Sequence, residues 1–396
     1  MKQGDKGQLN RRQLLTGAAG AAALLALSET GADVRSPGSM PSEVGSRAPS
    51  ATAKRIPFAG IVSASPLHQL DGTITPSDLH FERHHGGIPD LDAGSHELLI
   101  HGLVERPLKF RLADLRRLPS VTRICFIECS GNYFGGFGPK STPQTICGLT
   151  SQSEWTGVAL RTLLRESGIR DQAAWLLAEG GDAPLMTRSI PVEKAMDDAI
   201  IAYAQNGEAI RPEQGYPFRL LLPGWEGNTS VKWLRRIEIG DAPWMSRQET
   251  SKYTDRLADG RYRQFSFTMD ARSIITSPAH PFEIEKGWHE IRGIAWSGRG
   301  RISAVEVSVD GGRTWQKSHL QGPVMSKAHT RFTMPWRWDG RATVIQSRAI
   351  DETGYVQPTL KQLLAVREMT STNYHFNPIV GWHLRSDGTI EIAETV

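Results

Sequence analysis

The residue best equipped for chemistry is Cys129, in the run Arg123-Ile-Cys-Phe-Ile-Glu-Cys-Ser-Gly-Asn132. The run is apolar until Ser130, Gly131 and Asn132, which are turn formers. The pattern predicts a strand that delivers the thiol to a loop at its end, a common place for reactive groups on a rigid scaffold. The chain has three cysteines, Cys125, Cys129 and Cys147. An odd count in an exported protein leaves at least one thiol free. A soft thiolate there can anchor a soft or high-valent metal. Cys125 and Cys147 are either a disulfide pair or two small core residues; Cys125, in an apolar strand, favours the second reading.

Four other segments carry polar groups that could act together. Phe81-Glu-Arg-His-His-Gly-Gly-Ile-Pro89 puts Arg83, His84 and His85 in a glycine-rich loop. A zinc site of His80, His84 and His85 would want histidines on a helix, and Gly86, Gly87 and Pro89 argue against one. Asp198 precedes the apolar Ile200-Ile-Ala-Tyr203. Gln214-Gly-Tyr-Pro-Phe-Arg219 and Pro223-Gly-Trp-Glu-Gly-Asn-Thr-Ser-Val-Lys-Trp-Leu234 complete the set. Any one of these segments is commonly structural. Together they offer loop amides, Arg and Lys, as a bulky anionic heterocycle bearing a phosphate requires.

These groups need a frame to position them. Leu112–Leu118 and Ala159–Glu166 have helical spacing, whereas Glu97–Gly102, Ile124–Ile127 and Phe218–Leu222 read as strands. No regular βαβ alternation and no GxGxxG occurs, which excludes a Rossmann reading. After Asp270 the pattern alternates in strand fashion: Ile291–Trp296, Ile302–Val309, a turn at Asp310-Gly-Gly312, a return strand from Arg313, then Phe332–Trp338 and Ala342–Ile350. The expected fold class is α+β over 54–245, followed by an all-β immunoglobulin-like sandwich over 246–369. A tail at 370–396 carries Tyr374, Phe376 and Trp382 and is expected to pack.

The N-terminus reads as an export signal. Arg11-Arg12-Gln-Leu-Leu15 is followed by an apolar stretch from Leu14 to Leu27, short of the roughly 20 residues a membrane span needs. A twin-arginine signal over 1–32 and a flexible Ser/Pro/Gly-rich tether over 33–53 are expected. They imply periplasmic export of a protein already folded around its cofactor. The formal net charge is +4, with no basic stripe for nucleic acid.

Taken together, Cys129-Ser-Gly-Asn132, the Phe-x-Arg-x-His of 81–85, Gly215-Tyr-Pro-Phe-Arg219 and Val231-Lys-Trp-Leu234 resemble the sulfite oxidase family of molybdenum enzymes. The C-terminal sandwich is similar to that family's dimerisation domain, and the resemblance covers roughly residues 57–369. It implies one molybdenum held by one molybdopterin and one protein cysteine. Matched motif by motif, it implies Cys129 as metal ligand. Phe81, His85, Asp198, Gln214, Arg219, Ser230 and Lys232 would hold the pterin and its phosphate. Arg83 would face the substrate oxyanion, and Tyr253 would donate a hydrogen bond at the metal.

The departures from the family pattern bear on the substrate. Many members carry a basic residue or two directly after Cys-x-Gly-Asn, where this chain has Tyr133 and Phe134. Gln214 stands where they have His. Losing an arginine from the anion pocket removes a charge-assisted hydrogen bond, on the order of 1.5–3 kcal/mol, and shifts the expectation toward a larger sulfur substrate entering past Tyr133 and Phe134. These features resemble the sulfane dehydrogenase branch of the family, the molybdenum subunits of bacterial Sox sulfur-oxidising systems. There the sulfur is bound to a carrier-protein cysteine. With no Cys-x-x-Cys-His for covalent haem, a separate c-type cytochrome is expected to take the electrons, in a homodimer or a heterotetramer with the cytochrome. The alternatives are a sulfite dehydrogenase acting on free sulfite, a reductase of the same fold for methionine sulfoxide or nitrate, and a non-catalytic immunoglobulin-like binding protein. The sandwich argues against monomeric sulfoxide reductases, and the export signal against assimilatory nitrate reductases.

Overall fold

The structure is a computed structural model that describes residues 44–58, 60–133, 138–368 and 374–393. The expected signal at 1–32, most of the tether and Phe134 lie outside the described residues. From Ala53 onward the chain forms one compact unit.

Three short strands, β1 (Ile56–Phe58), β2 (Val62–Ala64) and β3 (Glu82–Arg83), make an antiparallel ribbon that ends at Arg83. The following strands are β4 (Leu98–Gly102), β5 (Leu108–Phe110), β6 (Ser120–Glu128), β7 (Thr150–Ala159), β8 (Trp175–Gly180), β9 (Thr187–Pro191), β10 (Ile200–Gln205), β11 (Glu208–Ala209), β12 (Arg219–Leu221) and β13 (Leu234–Gly240). They build two sheets, one ordered β11-β10-β7-β6 with β12 on β10, the other β5-β4-β13-β8-β9. β13 runs parallel to β4 and antiparallel to β8. This is the expected α+β character without βαβ units.

The helices among the described residues are short: α1 (Leu112–Leu115), α2 (Pro143–Cys147), α3 (Leu160–Ser167), α4 (Val192–Asp197) and α5 (Leu360–Leu364). α3 buries Leu160, Leu163 and Leu164, the i, i+3, i+4 face, in one core with Leu98, Ile100 and Ile237. It stops at Gly168, whose φ of 68° makes the left-handed cap that favours glycine. α1 is shorter than its spacing suggests. Pro119 disfavours helix at Leu118, and the last turn closes with Arg117 and Leu118 amides bonded three residues back.

The second half is a sandwich, as expected. After a small hairpin, β14 (Asp255–Arg256) with β15 (Tyr262–Arg263), come β16 (Arg272–Ser277), β17 (Gly287–Trp296), β18 (Ile302–Ser308), β19 (Gln316–Lys317), β20 (His319–Gln321), β21 (Thr330–Trp338), β22 (Thr343–Asp351), β23 (Gly381–Leu384) and β24 (Ile390–Ile392). The sheets are β16-β17-β21-β20 and β19-β18-β22-β23-β24. Ile274, Ile294 and Phe332 from the first share a core with Val305, Ile345 and Trp382 from the second.

Two details differ from the sequence reading. The return strand begins at Gln316, not Arg313, because Asp310 holds the turn open: Oδ1 accepts from the Thr314 amide at 2.9 Å and Oδ2 from its hydroxyl at 2.6 Å. Within the tail, the described residues 381–392 are part of the sandwich, since β23 pairs with β22 and β24 and buries Trp382 completely. Buried polar bonds cross from one half to the other, as described below. Cys125 and Cys147 are both free and buried, in different hydrophobic clusters.

Candidate active site

β6 carries the thiol. Its last residues, Phe126 to Glu128, are buried, and the chain then turns through Ser130 and Gly131. The Cys129 amide donates to Leu149 O (2.9 Å) and the Asn132 amide to Cys129 O (2.9 Å). The Asn132 side chain bridges the turn, donating to Glu128 Oε1 (2.9 Å) and accepting from the Leu149 amide (2.8 Å). Cys129 is half-buried, whereas the other two thiols are fully buried. Burial pushes its pKa up and Arg83 is the largest opposing influence.

The thiol opens on a cleft whose empty space, continuous with open solvent, is about 660 Å³. Cys129, Arg83, Phe81, His85, Gln214, Arg219, Ser230, Lys232 and Tyr253 all line it. Of the residues assigned to the site from sequence, Asp198 is the exception and must be corrected. Its carboxylate faces Lys194 and Lys327 at 2.6 Å each, so it ties α4 to the sandwich half instead of reaching the cleft.

The cleft wall is built from short polar links. Arg219, the first residue of β12, donates to Gln214 O (2.9 Å) and Ser230 O (2.7 Å). Gln214 Nε2 donates to Phe81 O (2.9 Å), and Ser230 Oγ accepts from the Leu222 amide (3.0 Å). Lys232 donates to Glu213 O (2.9 Å) and to His84 Nδ1 (2.8 Å), which leaves His84 Nε2–H to donate to Glu82 (2.8 Å). His85 Nε2 and the Tyr253 hydroxyl share a hydrogen bond of 2.9 Å. Burial, then Arg83 and Lys232, lower the His85 pKa to about 4, so the ring is neutral. Burial raises the Tyr253 pKa far above the usual phenol value, so it keeps its proton. Under the Tyr253 ring lies Arg188, 4.8 Å from the centroid, itself clamped by Glu226 (2.9 Å) and Glu249 (3.0 Å).

The electrostatics of the cleft call for an anion. Arg219 and Lys232 bond only to carbonyl oxygens and a neutral imidazole, with no carboxylate partner among the described residues. Burial lowers the Arg219 pKa to about 9, and burial together with Arg219 lowers that of Lys232 strongly. Asp182 is the one carboxylate among the lining residues. Two buried polar atoms in the wall, His80 Nε2 and Asn228 Oδ1, have no partner among the described residues. A polar, phosphate-bearing heterocycle would meet all of these demands, so the residues present fit a pterin with its phosphate and a metal at Cys129.

Some of the wall was not foreseen from sequence. His80, His84, Asp182, Met186, Asn228 and Trp233 line it as well. His84, Asn228 and Trp233 lie inside the motif segments, so their position was the available signal; Asp182 and Met186 had none. Tyr133, expected at an entrance, packs instead on Phe376 with ring centroids 4.2 Å apart.

Such a thiol beside an anion-binding cleft, with a β-sandwich behind it, defines a molybdopterin oxidoreductase. Residues 85–248 match the oxidoreductase molybdopterin binding domain and residues 263–381 the Mo-co oxidoreductase dimerisation domain. The chain is 30% identical to the sulfite oxidase of Gallus gallus over 76% of its own length and 72% of that protein. It is 30% identical to the mitochondrial sulfite oxidase of Rattus norvegicus and 31% identical to the NADH nitrate reductase of Ulva prolifera, of which it spans 63% and 38%. Among solved structures, the sulfane dehydrogenase SoxCD from Paracoccus pantotrophus is 43% identical, with a TM-score of 0.84 over 90% of this chain and 96% of that one. The chain belongs to the sulfite oxidase family of molybdopterin oxidoreductases, and its cofactor is molybdenum-molybdopterin.

Proposed function

We propose that the chain is the molybdenum subunit of a periplasmic sulfur-oxidising dehydrogenase. Its substrate is sulfur carried on a protein cysteine, and its electrons pass to a c-type cytochrome subunit. The observation that carries this reading is the cleft of Arg83, His85 and Tyr253 around Cys129, with an aromatic residue, Tyr133, directly after the Cys-Ser-Gly-Asn turn instead of a second arginine. The 43% identity to a sulfane dehydrogenase supports it. The twin-arginine start at Arg11-Arg12 supports the periplasm. Among the described residues no helix is long and apolar enough to cross a membrane. The sandwich supports a homodimer or a heterotetramer with the cytochrome.

When bound, the cofactor supplies oxygen-atom transfer to sulfur and a store for the two electrons removed. This chain's residues prepare that chemistry. Cys129 gives up its thiol proton to hold the metal; burial opposes the thiolate and Arg83 favours it. Arg219 and Lys232 bind the phosphate. Phe81, Gln214 and Ser230 fix the pterin through the loops they hold together. Arg83 draws in an anionic sulfur group and stabilises charge that develops on its oxygens. Neutral His85, as the Nε2–H tautomer, donates to the Tyr253 hydroxyl and leaves the phenol proton free to donate into the cleft.

The test is a single-turnover reduction of the molybdenum-loaded protein, followed by its optical spectrum, which needs no cytochrome. A persulfidated cysteine peptide should reduce the centre much faster than free sulfite. Fast reduction by sulfite and none by the peptide would show a free-sulfite dehydrogenase instead.

A further inference from the structure

The C-terminal segment brings a second tyrosine to the Cys129 turn. A Cβ built on Gly131 would lie 3.8 Å from Tyr374 Cε1 and 3.9 Å from Cys129 Sγ, so ring and sulfur flank the same glycine. The Tyr374 ring centroid is 5.2 Å from that of Tyr253. The residues after it are fixed. The His375 amide donates to Ser130 O at 2.9 Å, and Asn377 Nδ2 donates to Ala271 O at 3.0 Å. Phe376 packs on Tyr133, and Gln357 Nε2 holds Pro378 O at 3.1 Å. His375, Phe376 and Asn377 are buried, whereas Tyr374 is half-buried.

The fold therefore uses the residues after Tyr374 as anchors and leaves its hydroxyl unspent. Among the described residues that hydroxyl has no hydrogen-bond partner. Packing alone accounts for an aromatic ring here, and a phenylalanine would serve it equally. The oxygen needs another explanation.

We propose that Tyr374 is a specificity-determining residue that pairs its phenol with that of Tyr253, beside Arg83, to bind the oxygens of a tetrahedral sulfur oxyanion. The inference rests on the reading of Cys129 as the centre of a sulfur-oxidising site, and deepens it by naming what recognises the oxidised sulfur group. Two phenols and one guanidinium are a donor set without an acceptor charge, suited to an –SO₃ group at the end of a carrier arm.

The experiment compares molybdenum-loaded wild type, Tyr374→Phe and Tyr374→Ala, with sulfate as probe, since three of its oxygens mimic the terminal –SO₃ group. Affinity is read by calorimetry, with molybdenum content and thermal midpoint measured on the same samples. Tyr374→Phe keeps the ring and should weaken sulfate binding roughly ten-fold, the effect of one hydrogen bond to an anion, with unchanged metal content and midpoint. Tyr374→Ala should weaken it at least as much. Unchanged affinity in Tyr374→Phe, or loss only in Tyr374→Ala, overturns the proposal and assigns the residue to packing. Wild type that holds molybdenum but binds no sulfate also overturns it, while the cofactor reading stands. Wild type that takes up no molybdenum overturns the reading of the site and this inference with it.

Discussion

Replacing Arg272 by Met should destabilise the protein by about 3–5 kcal/mol near pH 7, and by clearly less in mild acid. Arg272, at the start of β16, is 2% exposed. It donates to Asn132 O at 2.7 Å and lies 3.3 Å from Glu128 Oε1. Glu128 is 1% exposed and also accepts from Asn132 and, at 2.6 Å, from Trp296 Nε1. Burial raises the Glu128 pKa, and Arg272 is the largest influence against that rise. Without the arginine, Glu128 escapes an unpaired buried charge by taking up a proton. Relative to an ordinary value of 4.5 in the unfolded chain, holding that proton near pH 7 costs about 3.4 kcal/mol, and near pH 5.5 about 1.4 kcal/mol. The folded variant then binds a proton that its unfolded chain lacks, so its stability falls as pH rises. Urea unfolding of both proteins at the two pH values should show the gap between them narrowing in acid. A gap that stays constant would mean that Glu128 is already neutral in the wild type and would refute the ion pair. The double variant with Glu128→Gln should recover much of the loss. Because Asn132 closes the Cys129 turn, Arg272→Met should also lower molybdenum content.

Three further outcomes follow from the same structure. Cys129→Ser should fold with a thermal midpoint close to wild type yet contain little molybdenum, because the side chain is only half-buried and its amide bond to Leu149 O survives; an unfolded variant would mark Cys129 as a core residue. Gly298→Ala should lower the unfolding free energy by about 1–3 kcal/mol, since its Cβ would fall 1.9 Å from Gly224 O; an unchanged urea midpoint would contradict that close approach. Glu179, held by Arg235 and Arg236 at 2.7 and 2.6 Å, has its pKa lowered although burial works to raise it. The stability it contributes is present above pH 4.5 and lost as pH falls through its depressed value, so Glu179→Gln should flatten the acid limb of a stability–pH curve, and an identical limb would refute the contribution.

What the sequence disclosed follows the range of the forces involved. Phe81, Arg83 and His85 stand within five consecutive residues, and Arg219, Ser230 and Lys232 within fourteen. Loops that short place their side chains with little help from the rest of the chain, so motif spacing alone was enough to gather them. Asp198 had the same kind of local signal, a carboxylate before an apolar strand, but its position is set by charge. Lys194 one helical turn away and Lys327 from the other half each lie 2.6 Å from it, and nothing near residue 198 in sequence announces Lys327. Tyr133 failed for a related reason. An aromatic residue after the cysteine turn reads as an open entrance until Phe376, from the far end of the chain, covers it.

The sandwich shows how far those long-range contacts reach into function. Its alternating strands were legible, and its resemblance to a dimerisation domain assigns it an assembly role. Yet Arg272 and Trp296 grip the base of the Cys129 turn through Glu128 and Asn132, and the anchored residues His375 to Pro378 set Tyr374 against the same turn. A thiol on a flexible strand end would lose entropy each time it bound a metal; one fixed from both sides by buried bonds has already lost it on folding. The second half of the chain thus contributes to the rigidity of the Cys129 turn. Substitutions there should alter molybdenum occupancy even where they leave dimerisation intact.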